Sequence, residues 1–215
     1  MIFELKEKKD KILEETYKQS MKELDKFFEI NWNTERPKVF ILKDRKMIDS
    51  MKDYKTQRWI VAFEQGKNVF LLDKKNYNKE SSHKYNLKDY KEILKHELTH
   101  AYTNALFSGD EMIFWLFEGC SMYLGNKDKY TYPPVNFKFK NFLKYYNKTD
   151  SGVYLESGYT VGLLIKHFGK EKILKLFKKS KYVRSKKEFY SVFEKIYGFK
   201  LNYTNFNKLL KPKTF

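Results

Sequence analysis

The sequence predicts an α+β fold, with a small N-terminal sheet followed by a mostly helical remainder. Two observations predict it. Three short apolar runs, separated by turn residues, fall between residues 39 and 72 and read as strands. From Leu87 onward, apolar residues recur at helical spacing almost to the end of the chain. Strands first and helices after is the order of a segregated α+β domain, not of alternating βαβ units.

The elements follow in order. Leu5, Ile12, Leu13, Tyr17, Met21, Leu24 and Phe28 lie on one helical stripe, so a helix is expected from about Leu5 to Ile30, broken between Asn31 and Pro37. Val39–Leu42 reads as a buried strand and Trp59–Phe63 as a second. Gly66-Lys67-Asn68 is a turn signal, and Val69–Leu72 a third strand. The polar stretch Asp73 to Asn86 reads as loop. Helices are then expected at Leu87–Phe107, Glu111–Leu124, Val135–Tyr146, Val153–Phe168, Glu171–Ser180 and Lys187–Tyr197.

At 215 residues, with 41% hydrophobic and 18% aromatic residues, the chain is long and apolar enough to bury a core. No Gly/Ser- or Pro-rich linker divides it. One domain over 1–215 is therefore expected, as an N-terminal α/β lobe (1–106) and a helical lobe (107–215). Cys120 is the sole cysteine, so no intrachain disulfide supports the fold. No apolar run is long enough to span a membrane. With Met1 as the native start, the expected compartment is the cytoplasm; removal of a signal peptide would make secretion the alternative.

The net charge is +17, which suits an anionic partner. Arginine occurs only at Arg36, Arg45, Arg58 and Arg184. Nucleic-acid readers favour arginine for its planar fork, so lysine richness argues against that class. A basic nucleic-acid-associated protein remains an alternative reading, and steep salt dependence would mark it.

The chemistry is concentrated in His96-Glu97-Leu98-Thr99-His100. On a helix, positions i and i+4 share a face, so both imidazoles reach one ion. Glu97 lies about 100° round the helix from His96 and faces a metal-bound water without being a ligand. Two of the four histidines in the chain fall at this spacing; the others are His83 and His167. A third protein ligand is needed, with one position open. Glu118 is the first candidate. It follows a turn at Ser108-Gly109-Asp110, and two antiparallel helices joined there would return it to the histidine pair. Its neighbours Phe114, Trp115, Leu116 and Phe117 are apolar, and a carboxylate in such surroundings requires a partner. Glu111 is the fallback ligand. Cys120 reads as a small buried hydrophobe.

His96-Glu-Leu-Thr-His-Ala101, followed by Trp115-Leu-Phe-Glu-Gly-Cys-Ser-Met-Tyr123, resembles the HExxH…WLxEGxAxY pattern of the peptidase MA-like gluzincins, relatives of aminopeptidase N and thermolysin. The resemblance implies a zincin-like fold and one Zn2+ ion held by His96, His100 and Glu118, with Glu97 as general base. Tyr154-Leu-Glu-Ser-Gly-Tyr159 looks like the helix start whose tyrosine, in the aminopeptidase N-like enzymes, donates to the tetrahedral intermediate. That role falls on Tyr154, with Tyr159 and His167 behind it. The similarity covers about Leu87 to Tyr197. It departs from the thermolysin pattern at Met122, where that class has an aspartate; Asn104 is a candidate to support the ligands instead.

The implied function is zinc-dependent hydrolysis of peptide bonds in a peptide or protein substrate. In this fold class an edge strand pairs with the substrate, and Lys67 to Asp73 is the expected edge. It lacks the amine-binding glutamate of the related aminopeptidases, which points to an endopeptidase of narrow specificity. A zinc-fold binding or regulatory protein without turnover is the alternative; the intact Glu97 argues against it.

Overall fold

A computed structural model of the chain describes residues 7–30, 35–107, 113–144 and 151–211. It is α+β and mostly helical, with a three-stranded sheet among the described residues. The expected turn at Ser108-Gly109-Asp110, the start of the first helix at Leu5, and Glu111 lie outside those residues.

Helix α1 (Lys11–Phe28) starts at Asp10, whose carboxylate accepts from the Leu13 N–H. That cap satisfies one of the orphan donors of the first turn. Leu13, Met21, Leu24 and Phe28 are buried as the stripe predicts, whereas Ile12 is exposed. Glu29 ends the helix in the left-handed region.

Strand β1 (Val39–Leu42) is followed by helix α2 (Arg45–Lys52), capped by the Asp44 side chain. Strands β2 (Ala62–Gln65) and β3 (Asn68–Leu72) form a hairpin. Gly66 and Lys67 both have positive φ, the geometry of a two-residue type I′ turn that matches strand twist. β1 pairs parallel with β3, giving the order β1-β3-β2. Val69 to Leu72 are all buried, as expected of a central strand covered on both faces.

Two strand expectations need correction. The second strand is Ala62–Gln65, not Trp59–Phe63. Arg45 explains the shift: its guanidinium donates to the carbonyls of Gln57, Arg58, Ile60 and Glu80. This fixes residues 57–60 as a turn and leaves Trp59 at the surface. The expected substrate edge, Lys67 to Asp73, is the central strand, paired on both sides; the edges are β1 and β2.

The stretch expected as loop after β3 contains one short helix, α3 (Tyr77–Glu80). Helix α4 (Leu87–Phe107) has the predicted bounds, with Asn86 accepting from the Lys88 and Asp89 N–H groups at its start. Then follow α5 (Phe114–Gly125), α6 (Lys127–Thr131), α7 (Ser151–Phe168), α8 (Lys170–Ser180), α9 (Lys186–Tyr197) and α10 (Tyr203–Leu209).

The helix expected over Val135–Tyr146 is not formed in its described part, residues 135–144. Glu156 of α7 accepts from the backbone N–H groups of Lys140, Asn141 and Phe142, which removes the donors an i to i−4 ladder would use.

α4 packs on the sheet on one side and against α1 and α5 on others. α5 lies between α4 and α7 and is buried almost all round. Such a helix belongs to the interior, and each large side chain it buries contributes about 1.5–3 kcal/mol. One apolar cluster joins residues from Leu13 to Phe206. No helix among the described residues is long and apolar enough to cross a membrane.

Candidate metal centre

α4 carries two of the three expected ligands. Leu94, Leu98, Ala101 and Tyr102 are buried on one of its faces, and the Tyr102 hydroxyl donates to Asp25 of α1. Packing therefore locks the rotation of the helix and turns His96 and His100 toward α5. Their ring centroids are 4.8 Å apart.

α5 supplies Glu118. It approaches α4 closely at Gly125, where an added Cβ would stand 3.3 Å from the Glu92 carbonyl oxygen and 3.5 Å from His96 Cβ. Glu118 Oε2 lies 3.5 Å from His96 Nε2 and 3.4 Å from His100 Nε2. The two Nε2 atoms are 3.1 Å apart. A tetrahedral ion bound at about 2.0–2.1 Å requires donor atoms about 3.3–3.4 Å from one another. The three donors thus form one face of such a tetrahedron. Among the described residues, Glu118 Oε2 is buried and accepts no hydrogen bond, although buried carboxylate oxygens are ordinarily satisfied. His96, His100 and Glu118 are a triad that could hold a metal ion.

An open cleft of about 350 Å³ exposes the triad. Glu97 and Tyr154 line it beside the ligands, and β2 borders it through Ala62, Phe63 and Glu64. Lys52, Tyr54 and Trp59 also line it. Tyr154 is held in place by the Phe114 ring, edge-on at 5.2 Å.

Burial sets the titration here. It pushes Glu97 up to about 7, with the Glu118 and Glu64 charges adding to the rise and His100 opposing it. Burial, and then the charge on His100, lower His96 to about 4. Burial alone would lower His100 too, but Glu118, Glu97 and Glu64 override it and hold it near 9. The interaction with His100 in turn outweighs burial at Glu118 and keeps that carboxylate below its usual range. Burial first, then the Glu118 and Glu97 charges, raise Tyr154 to about 12, so its phenol stays a proton donor at neutral pH.

The other sequence candidates lie elsewhere. Tyr159 is buried against Tyr130 and Phe137, in the core. His167 is half-buried near Phe168, and the ring of His83 meets the Trp59 carbonyl; neither lines the cleft. Cys120 is fully buried, and burial raises its thiol. Asn104 donates to Glu64 Oε2 at 2.7 Å, tying the metal helix to β2. The Ser121 carbonyl lies at the His96 ring and favours its N–H form, the kind of support that orients a ligating histidine.

Sequence reasoning missed Glu64 and Lys52. Ala62-Phe63-Glu64-Gln65 does alternate in polarity, the signal of a half-buried edge strand. Nothing local marks Lys52.

Among known proteins, the chain matches no protein-family model, no curated protein and no solved structure.

Proposed function

We propose that this protein is a zinc metallopeptidase of gluzincin type, hydrolysing peptide bonds in the cleft above His96, His100 and Glu118. The observation that carries the reading is the triangle of donors at 3.1, 3.4 and 3.5 Å with Glu97 beside it. Two imidazoles and one carboxylate suit zinc, and three protein ligands leave a position for water.

When bound, zinc supplies Lewis acidity toward the scissile carbonyl and lowers the pKa of water to about 7. Glu97 takes the proton of the attacking water and passes it to the leaving nitrogen. Tyr154 donates a hydrogen bond to the oxyanion, stabilising charge that exists only in the transition state. β2 offers its free edge to an extended peptide. On β2, Glu64 accepts from the Lys67 N–H at 2.8 Å and from Asn104 Nδ2 at 2.7 Å, contacts that tie it to the hairpin turn and to α4.

The test is digestion of a diverse peptide library by zinc-loaded wild type and Glu97→Gln, read by mass spectrometry. Internal cuts made by wild type and absent from the variant are expected. Cuts that persist in the variant, or none from either protein, would overturn the reading.

A further inference from the structure

Lys52 is the last residue of α2, yet its side chain enters the cleft. Its ammonium sits 4.1 Å from the centroid of the Phe63 ring on β2. Phe63 stacks on Phe70 at 4.9 Å, and Phe70 on Phe40 at 5.1 Å. The ring under Lys52 is therefore fixed across the whole sheet. Among the described residues Lys52 forms no ion pair. Glu97 and Glu64 are near enough to favour its charged form against burial, which lowers it, but neither salt-bridges it.

A half-buried ammonium ordinarily finds a carboxylate. Here it rests on an aromatic face, which attracts a cation while leaving its N–H donors available. Lys52 lines the same cleft as Glu97 and the His96–His100–Glu118 triad. Tyr54 and Trp59, 56% and 40% exposed, line the same cleft and offer apolar contact to the stem of a substrate side chain.

We infer that Lys52 is the specificity-determining residue of the cleft and receives a carboxylate of the substrate, so that preferred peptides carry Asp or Glu at one fixed position beside the cut bond. The inference rests on the peptidase reading. The net charge of +17 acts in the same direction by drawing acidic chains to the surface.

The experiment uses peptides cut by the zinc-loaded wild type, remade as Glu/Gln pairs at each position near the bond. At one position the Glu peptide is expected to have a kcat/KM about tenfold above its Gln partner, the scale of one charge-assisted hydrogen bond. Lys52→Gln should bring that ratio to about 1. Lys52→Glu should invert it and favour Lys at the same position, and Lys52→Arg should retain it. A wild type that cuts Glu and Gln peptides equally, or a preference that survives Lys52→Gln, would overturn the inference and leave the peptidase reading standing. A zinc-loaded wild type that cuts no peptide would overturn both.

Discussion

An added Cβ on Gly119 would lie 2.4 Å from the carbonyl oxygen of Ser157 and 2.8 Å from a Val161 methyl. α5 and α7 therefore touch backbone to backbone, one residue from Glu118 and three from Tyr154. The glycine after Glu118 sets the distance between the His96–His100–Glu118 triad and Tyr154. Gly119→Ala forces the helices apart and should cost about 1–3 kcal/mol, the usual scale for overpacking. Thermal unfolding checks the stability. Cleavage should fall further than stability alone explains, because Tyr154 moves with α7.

Tyr154→Phe separates chemistry from folding. With the phenol as the proposed donor to the developing oxyanion, kcat should fall about 10²–10³-fold with KM little changed. Zinc content, measured by atomic absorption, should match wild type.

Zinc should stabilise the fold measurably. A ligand that binds only the folded state at a hundred times its Kd contributes about 2.7 kcal/mol. The melting temperature of wild type should rise on adding zinc. In His100→Ala and Glu118→Ala that rise should shrink or vanish. The check is differential scanning calorimetry with and without zinc.

Glu156 holds the irregular segment before α7. It is buried and accepts from three backbone N–H groups and from Asn141 Nδ2. Glu156→Ala strands those donors and should cost about 2–4 kcal/mol, read by urea unfolding. Zinc binding by the folded fraction should be unaffected.

Acid should weaken the anchoring of α1. The Lys74 hydrogen bond lowers Asp10, and the Lys95 hydrogen bond lowers Glu23. At Asp73, burial alone would raise the carboxyl, but Lys8 and the Lys75 N–H outweigh it. A carboxyl depressed in the folded state contributes stability above its unfolded pKa and loses it as pH falls through the folded value. Stability should thus decline below about pH 4, by at most about 1 kcal/mol per exposed pair. Replacing Asp10 and Asp73 with Asn should flatten the lower part of that curve, followed by urea unfolding from pH 6 to 3.

Part of this site was legible in the sequence. Helical spacing marks His96 and His100 as candidates to share one ion, and the chain does bring Glu118, the first candidate for a third ligand, to the histidine pair. α4 was legible from end to end because its periodicity runs unbroken from Leu87 to Phe107. What escaped depends on contacts far apart in sequence. Arg45 draws residues 57–60 into a turn, so the apolar Trp59-Ile60 pair misleads. Pairing of β1 with β3 places β3 in the centre, which no local pattern reveals, and leaves β2 at the cleft. Glu156 consumes the backbone donors that a helix at 135–144 would have used. Lys52 reaches the site only because α2 and β2 meet there.

The most direct measurement is the rate of peptide cleavage as zinc is titrated into metal-free protein. The account predicts no cleavage without zinc and a rate that rises linearly to one ion per chain. Glu118→Ala should need far more zinc, and Glu97→Gln should bind the ion and stay inactive. Full activity in the metal-free protein, or a Glu97→Gln variant that cuts as fast as wild type, would contradict it.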